Sequence, residues 1–444
     1  MFFGKVKQNI MVLTISNLVI GLIEFVFNMY LSRILGAEGL GVLSLVSPIN
    51  ALFLSFMTEG LVVTISKISA KHQHDGNYSA MASNIRISTC FSFFWSLCLT
   101  GLVWITATPL ATWFLGDSNL VYPILATCPL MLLMSISNIV KGHFLGLAKI
   151  KIPAMINISE KLLRFPILYC LIRFFLGAGN FHPVTLVYLC YAIGEMQSVL
   201  FLLIYYKKTK PAAPRIPVTP KEISRTLKPL VLGATPICLT QCLLEFVNAF
   251  SSVIVKSRLC SIGYTAAESL ALLGKYKGMV FPLMNYPMIL VGSACSIVVP
   301  RIATMVSSGK SHFARRLIKR SLLLAFTIGC ITCMVFWSFA EDMGVFFYGR
   351  EDLGPMIRLA GVCSPLLYIT ATTTSLLISI GKEAQSFRNS LLQQLLLLIF
   401  LILFTGVPKL NIYGYILAIA LSNTVLLLQN LYALRREQRL WKRA

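Results

Sequence analysis

"MVLTISNLVIGLIEFVFNMYL", residues 11–31, holds a single charge, Glu24, in about twenty residues. Its apolar residues do not alternate as those of a membrane-barrel strand would. As an α-helix rising 1.5 Å per residue, the stretch reaches roughly 30 Å, the thickness of a bilayer's hydrocarbon core. Runs of similar length and character recur near 42–64, 85–110, 120–145, 154–176, 184–206, 229–255, 270–298, 317–340, 354–380, 389–407 and 412–434. The chain is 57% hydrophobic and 12% charged, with a mean hydropathy of +0.77. Soluble domains run near 45–50% apolar and about 25% charged. The expected fold is an all-α integral membrane protein of about twelve transmembrane helices, in two pseudosymmetric six-helix lobes around a central cavity. Lys5 and Lys7 give the first run the look of a signal peptide, but it is long for an h-region and has no small-residue cleavage site. It is read as the first spanning helix.

The formal net charge of +23 is unevenly placed. Lys207, Lys208, Lys210, Arg215, Lys221, Arg225 and Lys228 crowd the connection between the sixth and seventh spans. Arg301, Lys310, Arg315, Arg316, Lys319 and Arg320 crowd the one between the eighth and ninth, and Arg435, Arg436, Arg439, Lys442 and Arg443 fill the tail. Twelve spans put these segments on one side, which the positive-inside rule makes cytoplasmic, with both termini. Asp117, Glu341, Asp342, Glu351 and Asp352 fall on the other side. Topology in a cytoplasmic membrane, rather than nucleic acid, accounts for the basic pI. Eleven of the twelve cysteines lie within apolar runs, where a thiol acts as a small hydrophobe. Cys330 and Cys333 have C-x-x-C spacing without the flanking strand pattern of a redox motif. "GLAKIKIPA", 146–154, lacks the spacing of a phosphate-binding loop, so no built-in ATPase is expected. His72 and His74 have no ligand partners at metal spacing and are read as solvated residues of a polar loop. No enzyme activity, cofactor or metal is expected.

The stretch 207–228, "KKTKPAAPRIPVTPKEISRTLK", is basic and proline-rich and reads as an extended linker. It separates an N-terminal lobe, 1–206, from a C-terminal lobe, 229–434, with a basic cytoplasmic tail at 435–444. The lobes repeat each other. An offset of 234 carries "VSPI" at 46–49 onto "VFPL" at 280–283, Lys67 onto Arg301, and Arg86 onto Arg320. "LIEFV" at 22–26 returns as "LLEFV" at 243–247, pairing Glu24 with Glu245. Asn28 and Asn248 follow these carboxylates by four and three residues, on the same helix face. Six helices per lobe make the repeats parallel, about an axis along the membrane normal.

"RILGAEGLGVLSLVSP" at 33–48 resembles the opening signature of the polysaccharide-transporter and stage V sporulation protein B families. "ISEKLLR" at 158–164 is similar to their fifth-helix pattern, with Glu160 and Arg164 at the recurring acid and arginine. Both families belong to the multidrug/oligosaccharidyl-lipid/polysaccharide (MOP) exporter superfamily. The resemblance implies a flippase of lipid-linked glycans working by alternating access. Stage V sporulation protein B and the lipid II flippases have fourteen helices; twelve also suits the multidrug and toxic compound extrusion (MATE) branch, with acidic cation-coupling residues in the first and seventh helices. The alternative expectation is therefore a cation-coupled exporter of organic cations. A membrane scaffold that recruits cell-wall enzymes through its basic loops is a third.

An ionisable residue inside a membrane helix is costly and marks a site by default. Glu24 and Glu245, with Asn28 and Asn248, are candidates for coupling to H+, Na+ or the membrane potential, or else neutral acids bonded to a neighbouring helix. Arg33, Lys256, Arg258, Lys275 and Lys277 place positive charge toward the outer side, where phosphate oxygens would be a reason for it. For Arg33, an ion pair with Glu38 is the plainer reading. Lys67, Arg86, Arg301 and Arg320 form a cytoplasmic rim that serves either topology and lipid headgroups or capture of a phosphorylated headgroup. Glu160, Lys161 and Arg164 are read as a local ion pair fixing the fifth helix. The expected partners are membrane lipids and a lipid-linked glycan, no nucleic acid, with the chain a monomer.

Overall fold

The computed structural model describes residues 2–175, 182–209, 219–308 and 311–443, which are helical almost throughout and contain no β-strand. The helices are α1 (2–35), α2 (37–74), α3 (Tyr78–Pro109), α4 (Val121–Gly146), α5 (Lys151–Phe175), α6 (Pro183–Thr209) and α7 (Pro220–Ser261). They continue with α8 (266–307), α9 (Ser311–Ser338), α10 (Ala340–Tyr348), α11 (Gly354–Ser379), α12 (Glu383–Thr405) and α13 (Tyr413–Arg443). Among the described residues, all but the short α10 are long enough to cross a bilayer. The shortest of the twelve, α12, has 23 residues, about 35 Å of helix. Each expected span is found in one of them.

Local chemistry sets the ends. Helix runs unbroken from α1 into α2 except at Gly36, whose φ of 65° and ψ of −173° suit glycine alone. The polar stretch near 32–41, expected to be a loop between spans, is instead helical on both sides of that one kink. Asn77 caps α3 by accepting from the Ala80 amide at 3.0 Å, and Thr265 and Glu268 close a capping box on α8. Turns of π-helix interrupt α2 at Ser55–Glu59 and α8 at Gly274–Val280. The linker expected to be extended over 207–228 is helical at both ends, because α6 runs to Thr209 and α7 starts at Pro220, with Thr219 Oγ1 accepting from the Glu222 amide. Its centre, 210–218, lies outside the described residues, as do Lys310 and Ala444 and the side chains of 1–11, 221 and 439–443.

By packing, the chain forms two units, Met1–Ser16 with Leu45–Ala249, and Asn17–Ser44 with Phe250–Ala444. Relative to the expected lobes, 17–44 joins the second unit and 229–249 the first, because the crossings lie within helices rather than in loops.

Between helices in lipid there is little hydrophobic drive, so small residues and polar contacts hold the packing. In the first unit a Cβ on Gly142 of α4 would stand 2.7 Å from the Val62 carbonyl of α2, and one on Gly60 would collide with the Ala234 carbonyl of α7. Ser96 and Ser135 join α3 to α4 at 2.9 Å. Leu61, Ile65, Ile139, Leu230 and Ala234 form a core. In the second unit Tyr368 donates to the Met284 carbonyl at 2.7 Å, tying α11 to α8, and the Asn389 amide donates to Asn430 Oδ1 at 2.9 Å, tying α12 to α13. Each such bond contributes about 0.6–2 kcal/mol in a membrane.

Candidate functional site

The first unit encloses a charged cluster on α4, α5 and α6. Arg164 donates through Nε and Nη2 to Glu160 Oε1, both at 2.6 Å. Lys161 Nζ stands 3.7 Å from the other carboxylate oxygen. Arg164 also lies over the Tyr191 ring, 4.4 Å from its centroid, and Gly194 leaves room, since a Cβ there would be 3.2 Å from Glu160 Oε1. Beside it Lys141 of α4 donates to Glu195 Oε1 of α6 at 3.2 Å. The glutamate side chains are 3% and 5% exposed, so each charge is held by its partner rather than by water. Glu160 and Arg164 thus pair locally, as their spacing suggests, but within a cluster of three cations and two carboxylates. Lys141 and Glu195 were not singled out in the sequence, although each is a lone charge in an apolar run.

The first unit also holds Glu245 and Asn248 on α7. Asn248 Nδ2 stands 3.4 Å from Glu245 Oε2. At 100° per residue, Gln241, Glu245 and Asn248 share a face opposite the exposed apolar stripe of Leu232, Leu239, Leu243 and Phe246. Lys67 and Arg86 are exposed on α2 and α3. His72 is not a solvated loop residue: it sits half-buried on the last turn of α2, with Asn84 Nδ2 2.6 Å from its Nε2. Its neighbour His74 is exposed.

In the second unit the part of α1 from Asn17 onward repeats the two-faced pattern. Asn17, Gly21, Glu24 and Asn28 line one face, opposite the exposed stripe of Val19, Leu22 and Val26. Glu24 is exposed rather than sunk in apolar packing, while its neighbour Phe25 stacks on Tyr286 at 5.3 Å. Arg33 is exposed, and no ion pair joins it to Glu38 among the described residues.

The other candidate cations of this unit fall into three groups. Lys277, on the π turn of α8, donates to Ser252 Oγ at 2.6 Å and lies 5.7 Å from the Tyr415 ring centroid. Lys256 is one helical turn beyond Ser252 on α7 and only 7% exposed. Ser252, which Lys277 reaches, and Lys256 lie on one face of α7. Lys275 instead binds Asp352 at 2.7 Å, and Arg350 clamps the same carboxylate at 3.0 and 3.2 Å. Arg258 donates to the Ile402 carbonyl at 3.1 Å. Arg301 and Arg320 are exposed.

A helical membrane protein with charges inside its spans and π turns beside them fits a transporter. The family model of polysaccharide biosynthesis proteins matches residues 6–306. The chain belongs to the polysaccharide biosynthesis protein family. This family member is 23% identical over 411 residues to stage V sporulation protein B of Bacillus subtilis (strain 168), covering 92% of this chain and 79% of that protein. Among solved structures it is similar to an inward-facing multidrug resistance MATE family transporter of the MOP superfamily, with a TM-score of 0.76 at 17% identity, over 97% of this chain and 99% of that one. A MOP superfamily transporter from Pyrococcus furiosus, described as having a binding pocket of reverse polarity, gives a TM-score of 0.67 at 16% identity, over 98% and 96%. The fold is that of MOP-superfamily transporters, as the resemblance implied.

Proposed function

We propose that this family member is an alternating-access exporter that moves a lipid-linked oligosaccharide, or a related polysaccharide or peptidoglycan precursor, across the cytoplasmic membrane. The observation that carries the reading is a pair of lysines inside spanning helices, Lys277 bonded to Ser252 and the buried Lys256 one turn beyond that serine. Lysines kept at such positions mark substrate or ion paths, and the phosphates that link glycan to lipid are natural partners. Arg33, Lys67, Arg86, Arg301 and Arg320 supply further positive charge for the headgroup, whereas Arg258 and Lys275 hold local structure. The polar faces carrying Glu24 with Asn28, and Glu245 with Asn248, couple the cycle to H+, Na+ or the membrane potential. Both termini are cytoplasmic, the lobes 1–206 and 229–434 are the moving bodies, and the chain works as a monomer among membrane lipids.

A second reading, a cation-coupled exporter of organic cations, draws on the same carboxylates and on the likeness to a multidrug transporter. Charge-neutralising variants separate the two in proteoliposomes. Lys256→Gln with Lys277→Gln should abolish movement of a polyprenyl-pyrophosphate-linked saccharide while the protein folds normally. If those variants move it as well as the parent chain, the flippase reading fails.

A further inference from the structure

Two cavities lie in the first unit between the same three helices, α2, α3 and α7. One, of about 420 Å³, is lined by Lys71, His72, Asn84, Glu222 and Arg225. The other, of about 450 Å³, is lined by Phe56, Leu61, Phe91, Trp95, Val231 and Leu239. Both volumes suit small-molecule sites, which run roughly 300–1,000 Å³. Their linings follow one another along each helix: residues 68–72 then 56–61 on α2, 80–84 then 91–95 on α3, and 222–229 then 231–239 on α7. The two cavities therefore follow one another along the helices, their nearest lining residues on α2, Leu61 and Ile68, about 10 Å apart at 1.5 Å per residue.

We propose that these cavities form one site for a phosphate-bearing anionic lipid, the head in the first and the chain in the second. The head cavity carries two cations against one carboxylate. His72, another lining residue, is fixed beside them by Asn84 at 2.6 Å. Ammonium, guanidinium and imidazole groups together bind phosphate oxygens by charge-assisted hydrogen bonds. The chain cavity is apolar and lies among residues that face outward: Phe56, Trp95, Val231 and Leu239 are all exposed. Trp95 is oriented by donating to the Phe56 carbonyl at 3.2 Å, within the π turn of α2. Val231, Ala234, Thr235, Cys238 and Leu239 of α7 line this groove, and Glu245 lies beyond it, about 9 Å further along the helix than Leu239. Neither Glu245 nor Asn248 lines either cavity, so a lipid can occupy this site whether or not the chain transports that lipid.

The test is lipid retention by the full chain, read by native mass spectrometry after exchange into polyprenyl phosphate, phosphatidylglycerol or phosphatidylcholine. The two anionic lipids should be retained about tenfold over phosphatidylcholine, the lower end of what a charge-assisted contact contributes. Lys71→Gln with Arg225→Gln should remove that preference. Thr235→Trp, which fills the apolar cavity from an exposed position, should weaken the anionic lipids while the melting temperature holds. Equal retention of both anionic lipids upholds a bulk anionic-lipid site; preference for polyprenyl phosphate upholds a carrier-lipid site. Retention of phosphatidylcholine on a par with them overturns the proposal. So does anionic binding that ignores either change, including binding of inorganic phosphate alone with no effect of Thr235→Trp.

Discussion

Glu160→Gln should be among the most damaging single changes in the first unit. It keeps the shape of the side chain but removes the charge that Arg164 meets through two nitrogens at 2.6 Å. The Arg164 side chain is 13% exposed, so water cannot replace the lost partner. Leaving one member of a buried ion pair without the other costs roughly 3–5 kcal/mol. Lys161, at 3.7 Å and 19% exposed, adds less. At about 2 °C per kcal/mol for a cooperative unit of this size, the melting temperature should fall by about 6–10 °C. A thiol-reactive dye reports the transition, because Cys128, Cys190, Cys242 and Cys363 are free and buried. Cys190 is a local probe, its thiol donating to the Arg164 carbonyl at 3.2 Å. Arg164→Met should cost a similar amount. Glu160→Leu combined with Arg164→Met should recover most of the loss, since apolar replacement of a whole buried pair is often neutral or better. If Glu160→Gln melts within about 1 °C of the parent, or if the double variant loses the sum of the two singles, the cluster does not hold these helices together.

Glu24→Gln, at an exposed position, should shift stability by about 0.5 kcal/mol or less, and Glu245→Gln should also fold, since the half-buried amide can still bond Asn248; transport in proteoliposomes should drop and lose its dependence on pH or sodium, and unchanged transport would make both residues structural. Impermeant thiol labelling of single cysteines, in a cysteine-free background, should reach positions 117 and 350 from outside and spare 208 and 225; external labelling at 208 would invert the topology. Gly60→Val should destabilise by about 1–3 kcal/mol, because its Cβ meets the Ala234 backbone rather than a side chain able to move; a melting temperature equal to the parent's would show that α2 and α7 part easily.

The spans were legible because lipid leaves the backbone no partner but itself, so a long apolar run has to be a helix. Length and hydropathy then decide the matter without tertiary knowledge. The kink at Gly36 was not legible: Arg33 and Glu38 made the join look like a loop, and only the φ of glycine 36 shows that helix continues through it. The Glu24 and Glu245 faces could be read, because residues three and four apart on a helix share a side whatever surrounds them. Lys141 and Glu195 could not be paired from the sequence, since they meet only where α4 packs on α6, 54 positions apart. Lys275 misled for the same reason. Its positive charge looked unexplained until Asp352, distant along the chain, stood 2.7 Å away. His72 looked solvated because its partner, Asn84, lies on the next helix.

The central claim is the movement of a phosphate-linked glycolipid, and one measurement tests it directly. The purified chain is reconstituted into vesicles holding a fluorescent polyprenyl-pyrophosphate-linked saccharide, and an external quencher reports how much reaches the outer leaflet with time. The account predicts loss of the protected fraction with the parent chain and its persistence with Lys256→Gln and Lys277→Gln together. A protected fraction that persists with the parent chain, in vesicles where the same protein drives uptake of an organic cation, would contradict it.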